Sequence, residues 1–107
     1  MKVCLYVRTA CPNQQALDFQ TARLKAFAGE HNLDVVDVAA ECGSGIRADR
    51  PELTRVELLA AAGKIDAVMV TDISRLFRDT FLYCDFEKRM ESCGVKIFML
   101  DRLQRLF

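Results

Sequence analysis

The chain is sparing with the residues that mark many functional classes. Among its 107 residues there is one histidine, His31, no tryptophan, two prolines and five glycines. Its five cysteines (Cys4, Cys11, Cys42, Cys84 and Cys93) are odd in number and none forms a Cys-x-x-Cys pair. Structural zinc draws on clustered cysteine and histidine, so no metal site and no cofactor are expected. A disulfide scaffold is not expected either, in a chain that is 51% hydrophobic and opens without a signal-like leader. Cys4 and Cys84 fit small core hydrophobes. Charge of neither sign predominates, with 15 Lys+Arg against 15 Asp+Glu. A protein that held nucleic acid by bulk charge would be basic, so any contact with DNA must rest on a local cluster or on a segment outside this chain. No apolar run approaches the roughly 20 residues that span a membrane, and the expected location is the cytoplasm. No repeat, linker or low-complexity stretch divides residues 1–107, which read as one domain.

What is present is a strand-helix alternation. Lys2 to Arg8 alternates Val3, Leu5 and Val7 as a first strand. Pro12 suits a first helical turn, and Leu17, Leu24, Phe27 and Ala28 recur at helical spacing to about His31. Leu33 to Ala39 reads as a second strand, and 41–50 as a glycine-containing loop. Asp49-Arg50-Pro51 opens a second helix with Leu53, Val56, Leu59 and Ala60 on one face, closed by Gly63. Ile65 to Val70 is apolar enough for a strand buried on both faces. A helix over about 79–92 and a strand over Val95 to Leu100 complete the series. Such βαβ units predict an α/β domain with a mostly parallel sheet of four or five strands covered by helices.

The densest signal follows the third strand. Asp72-Ile73-Ser74-Arg75-Leu76-Phe77-Arg78-Asp79 sets two arginines three apart where a helix should begin. In open α/β sheets, ligands bind at the carboxyl ends of strands. A guanidinium offers a planar fork of donors matched to phosphate. Arg8 ends the first strand and Arg50 sits in the long loop, so four arginines from three loops suggest a phosphodiester site. Taken singly, each has a plainer reading as a surface ion pair: Arg8 with Glu41 or Asp72, Arg50 with Asp49, Arg75 and Arg78 with Asp79. Gln20 could likewise be an exposed polar residue, and Tyr6 a core aromatic.

Several segments together resemble the catalytic domain of serine recombinases, the resolvase, invertase and large serine integrase group. They are Tyr6-Val7-Arg8, Gln14, Gln20, Glu41-Cys42-Gly43-Ser44-Gly45, Arg50-Pro51 and the Arg75-Leu76-Phe77-Arg78 run, in order over nearly the whole chain. The resemblance implies a three-layer resolvase-like fold and metal-free DNA strand cleavage and exchange through a 5′-phosphoserine link. It implies that Arg8, Arg75 and Arg78 act on the scissile phosphate. By the same resemblance, Arg50, Ser44, Gln14, Gln20 and Tyr6 line the phosphate or DNA site, with Glu41 and Ser74 in support. It also implies DNA as partner, reached through a longer protein or an associated subunit, and a homo-oligomer in the full-length form.

One departure bears on chemistry. The family pattern runs Tyr-x-Arg-x-Ser, and this chain reads Tyr6-Val7-Arg8-Thr9-Ala10. Ala10 occupies the nucleophile position, and a methyl group cannot attack phosphorus. The chain is therefore expected to be inactive in strand cleavage, whether through natural degeneration or through a substitution made to trap a complex. Thr9, Cys11, Ser44 and Ser74 carry nearby nucleophilic groups, but none is a good replacement: Thr9 should face away from Arg8 and Ala10, and Cys11 fits a helix-start residue. A non-catalytic accessory domain that binds phosphate, DNA or an active partner is the competing reading. A flavodoxin-shaped nucleotide-binding domain ranks below both, because no glycine-rich phosphate loop is present. The amphipathic stretch 101–107, with Leu103, Leu106 and Phe107, would leave an exposed apolar stripe, which suggests a chain cut short or a partner surface; by the resemblance, the domain is expected to stop before the dimerisation helix and the DNA-binding region.

Overall fold

The computed structural model describes residues 1–10, 12–42, 50–72, 75 and 80–101. Seven elements alternate: β1 (Lys2–Thr9), α1 (Gln14–Glu30), β2 (Asp34–Cys42), α2 (Pro51–Ala61), β3 (Ala67–Val70), α3 (Thr80–Ser92) and β4 (Lys96–Met99). The four strands form one parallel sheet in the order β2-β1-β3-β4. The chain thus moves outward from β1 to β2, then returns past β1 to β3 and β4. Right-handed crossovers require the two directions of travel to use opposite faces of the sheet.

The core follows that rule. Val3, Leu5 and Val7 pack with Leu24, Phe27 and Ala28 of α1. Cys4 and Tyr6 pack on the other face with Leu53, Val56 and Ala60 of α2 and Phe86 and Met90 of α3. The strand's two-residue period sends alternate side chains to the two layers. It also puts Arg8 on the face of Tyr6, beneath α2. Every residue of β3 is fully buried, which its uninterrupted apolar sequence anticipated.

The helix ends carry local signals. Asn13 is the N-cap of α1, its side chain accepting from Ala16 N at 3.0 Å. Pro12 therefore lies ahead of the cap, and the helix begins two residues later than the proline suggested. After α2 and α3, Gly63 (φ 71°) and Gly94 (φ 72°) take the left-handed conformation that lets the chain turn back to the sheet.

Three further expectations are corrected. β2 runs on to Cys42, because Arg8 and Thr9 of β1 pair with Glu41 and Cys42. β3 begins only at Ala67, although Ile65 is buried beside it. Cys84 is exposed, because the core face of α3 is set by Phe86 and Met90 and Cys84 falls on the opposite side. The edge strand β2 shifts register against β1 between Val3 and Cys4, skipping Val36, and is tied down beyond that point by Arg55 of α2. Arg55 pairs with Asp37 and Glu52 and donates to Val38 O at 3.2 Å.

Candidate functional site

The strand order reverses at β1 and β3, and the carboxyl ends of strands at such a point are where α/β sheets take ligands. Three of the four singled-out arginines meet there. Arg8 is the penultimate residue of β1, Arg50 is the N-cap of α2, and Arg75 follows β3. Arg8 Nε donates to the main-chain oxygen of Arg75 at 3.0 Å, and Arg50 Nη1 donates to the same oxygen at 3.4 Å. Arg75 Nη1 returns a bond to the main-chain oxygen of Arg8 at 3.3 Å. A carbonyl oxygen carries no net charge, so these bonds fix the guanidiniums without cancelling their positive charge. Arg8 and Arg50 are each only 2% exposed. Burial pushes the Arg50 guanidinium down from its usual range, while the neighbouring Tyr6 and Glu41 push it back up. Arg78 lies outside the described residues, as do Ser44 and Ser74.

Glu41 joins β2 to β1 and α2 beside the arginines. Its Oε2 accepts from the Tyr6 hydroxyl at 2.5 Å and its Oε1 from Glu52 N at 3.1 Å. The second bond caps α2 from outside: Arg50 supplies no side-chain cap, Pro51 has no N–H, and Glu52 is the next donor in line. The Arg50 guanidinium stands over the Tyr6 ring, 5.7 Å from its centroid. Tyr6 is fully buried, and burial first, then the bond to Glu41, pushes its phenol far above its ordinary range. Tyr6, Glu41 and Arg50 thus form one unit joining β1, β2 and α2.

The remaining residues fall into two groups. Gln20, 5% exposed, uses both ends of its amide on the Arg8 main chain: Oε1 accepts from Arg8 N at 3.3 Å and Nε2 donates to Arg8 O at 3.0 Å. Gln14 is exposed on the first turn of α1, its Nε2 donating to Asp18 at 2.8 Å. Ala10 is exposed at the bend that follows β1, two residues beyond Arg8. Its main-chain oxygen accepts from the Cys42 thiol at 3.8 Å. Sequence reasoning passed over Thr71. It is buried at the end of β3, and its Oγ1 has no hydrogen-bond partner among the described residues; Arg75 Nε is in the same position. A hydroxyl ending an otherwise apolar strand was the only available signal.

Fold and site together define an α/β catalytic domain of the recombinase type, with an arginine cluster at the switch point of its sheet. Residues 3–105 match the family described as "Resolvase, N terminal domain", and the chain belongs to that family of serine recombinase catalytic domains. Solved structures agree. The C-terminal catalytic domain of IS1535 TnpA, an IS607-like serine recombinase, is 32% identical with a TM-score of 0.75, over 91% of this chain and 69% of that one. The corresponding domain of ISC1926 TnpA, also IS607-like, is 28% identical with a TM-score of 0.87, over 94% of this chain and 69% of that one. The N-terminal catalytic domain of TP901-1 integrase shares the fold at 24% identity and a TM-score of 0.88, over 95% of this chain and 79% of that one. Among the described residues, no helix is long and apolar enough to cross a membrane.

Proposed function

We propose that this chain is the catalytic-domain scaffold of a site-specific DNA recombinase, retaining the phosphodiester-binding half of the chemistry and lacking the nucleophilic half. The observation that carries the reading is the meeting of Arg8, Arg50 and Arg75 on shared main-chain oxygens, with Ala10 two residues from Arg8. In an active member, a serine oxygen at this position attacks phosphorus. The new O–P bond forms as the bond to the 3′-oxygen breaks, and that oxygen leaves with a proton. Arginines placed in advance around the phosphate stabilise the charge that develops. Arg8, Arg75 and Arg78 take that role, with Arg50, Ser44 and Gln14 around the phosphate; Tyr6 and Gln20, expected there too, are buried and bonded to Glu41 and the Arg8 main chain, and act with Glu41 and Ser74 in support. Without the oxygen, the same arrangement binds but does not cut.

DNA is the partner. Sequence-specific contacts and homo-oligomer formation belong to a longer protein or to an associated active subunit, which also accommodates the accessory-domain reading that Ala10 favours. A cytoplasmic location belongs to the same reading.

The test is direct. The parent chain and an Ala10→Ser variant are incubated with an activated aryl phosphodiester, which needs neither dimer nor DNA site, and examined by intact-mass spectrometry. The variant gains a covalent phosphoryl adduct on the introduced hydroxyl and the parent gains none. An adduct on the parent, or a variant as inert as the parent, contradicts the assignment of Ala10 to the nucleophile's place.

A further inference from the structure

Helix α1 belongs to the layer opposite α2 and α3, yet one of its side chains reaches into the plane of the sheet at the arginine cluster. The β1–β3 ladder is registered at Val3↔Ala67, Cys4↔Val68 and Leu5↔Met69. Three residues further on, Arg8 has left that ladder, and its N–H and C=O are taken up by Gln20 instead. A glutamine amide carries an acceptor and a donor side by side, so it can replace a neighbouring strand at one residue. An ionised carboxylate could only accept, and an aliphatic chain could do neither. A buried glutamine satisfied by main chain could be no more than a well-paired core residue. Two further bonds set this one apart. The Arg8 oxygen that Gln20 holds is also the acceptor of Arg75 Nη1, at 3.3 Å. The Arg75 oxygen in turn receives Arg8 Nε and Arg50 Nη1, at 3.0 and 3.4 Å.

We propose that Gln20 is a positioning residue for the arginine cluster: by fixing the Arg8 peptide from helix α1, it sets where the guanidiniums of Arg8, Arg75 and Arg50 stand and so tunes oxyanion affinity without touching the anion. The proposal rests on the phosphate-binding reading above and adds the element that controls it. The control runs from α1 to Arg8 O, from there to the Arg75 side chain, and through Arg75 O to the other two guanidiniums. Any movement of α1 relative to β1 is thereby transmitted to all three cations.

The experiment compares the parent, Gln20→Met, which keeps length and volume but loses both bonds, and Gln15→Met, the same change at an exposed position on the same helix. Arginine Nε–Hε and Arg8 amide resonances are followed by nitrogen-15 NMR, with inorganic phosphate as the probe at constant ionic strength. Gln20→Met is expected to move the Arg8 and Arg75 signals and weaken phosphate binding about fivefold, the worth of roughly one hydrogen bond, while Gln15→Met leaves both unchanged. Should Gln20→Met not fold, Gln20→Glu is read the same way. It keeps an acceptor for Arg8 N–H and loses the donor to Arg8 O, so the Arg75 signal should still move. A folded Gln20 variant with unmoved Arg8 and Arg75 signals and phosphate affinity within twofold of the parent overturns the proposal. If the parent binds no phosphate, the phosphate-site reading fails, and the guanidinium signals alone decide the role of Gln20.

Discussion

Arg8 and Arg50 are among the largest fully buried side chains of the protein, and both are cations. Removing an isolated charge from water costs several kcal/mol, so a fold keeps such groups only where close acceptors offset the cost. Both donate to the Arg75 oxygen, and Arg50 also lies in the field of Glu41. Glu41 is the residue on which most of this converges. Replacing it with Ala leaves the Tyr6 hydroxyl and the Glu52 N–H without an acceptor, and a buried unsatisfied group costs about 1–3 kcal/mol. Glu41→Ala is therefore expected to lower stability by at least about 2 kcal/mol, read from the denaturant midpoint; an unchanged midpoint would show that Glu41 does not organise the site. A second residue-scale prediction concerns alkaline pH. Burial, with the charge of Asp37 adding to it, pushes the Cys4 thiol from 9.0 up to about 12, and Tyr6 is pushed up above its usual 10.0 as well. An acid that holds its proton more tightly in the native state contributes stability that is fully present below the unfolded value and lost as pH rises through the window. Stability should thus fall between about pH 9 and 12, by at most about 1.4 kcal/mol per pH unit for each group, and the melting temperature should fall with it. Cys4→Ala should flatten the lower part of that decline. A melting temperature that stays level across the window counts against the buried thiol.

At the scale of elements, helix α1 does two jobs: it covers one face of the sheet with Leu24, Phe27 and Ala28, and it carries Gln20 to Arg8. Its start depends on the Asn13 cap. Asn13→Ala should cost about 1 kcal/mol, seen as a lower melting temperature, and a loss well below that would mean the packing of α1 sets its boundary instead. The sequence made these elements readable where period and punctuation agreed. The first strand around Val3, Leu5 and Val7, the helical spacing of Leu53, Val56 and Ala60, and a fully buried strand ending at Val70 each appear as expected. Local signals failed where pairing across the sheet decided the outcome. β2 continues to Cys42 because β1 offers partners there, and the bulge at its start puts Asp37 in reach of Arg55. In the site, the grouping of Arg8, Arg50 and Arg75 was legible from residue type and from positions after two strands and in the long loop. What each holds was not, because their partners are main-chain oxygens, which every residue has. The role of Gln20 was hidden for the same reason, and Cys84 was misplaced because a cysteine on a helix carries no sign of which face is covered.

For the whole molecule, the four-stranded parallel sheet brings the carboxyl ends of β1, β2 and β3 to one edge, so residues 42 and 67 positions from Arg8 in sequence close on a single peptide oxygen. A net charge of zero means that this edge must attract an anion locally, so binding should weaken with added salt only as screening of a few charges demands. An anion at free concentration L that binds the native state alone raises its stability by RT ln(1 + L/Kd), so the gain grows with the logarithm of its concentration above Kd. The central claim, that the arginine cluster at the sheet edge is a phosphate site, is tested most directly by the melting temperature during a phosphate titration at fixed ionic strength, in the parent and in Arg75→Ala. The account predicts a rise in the parent that is lost or strongly reduced in the variant; equal stabilisation of both by phosphate would contradict it.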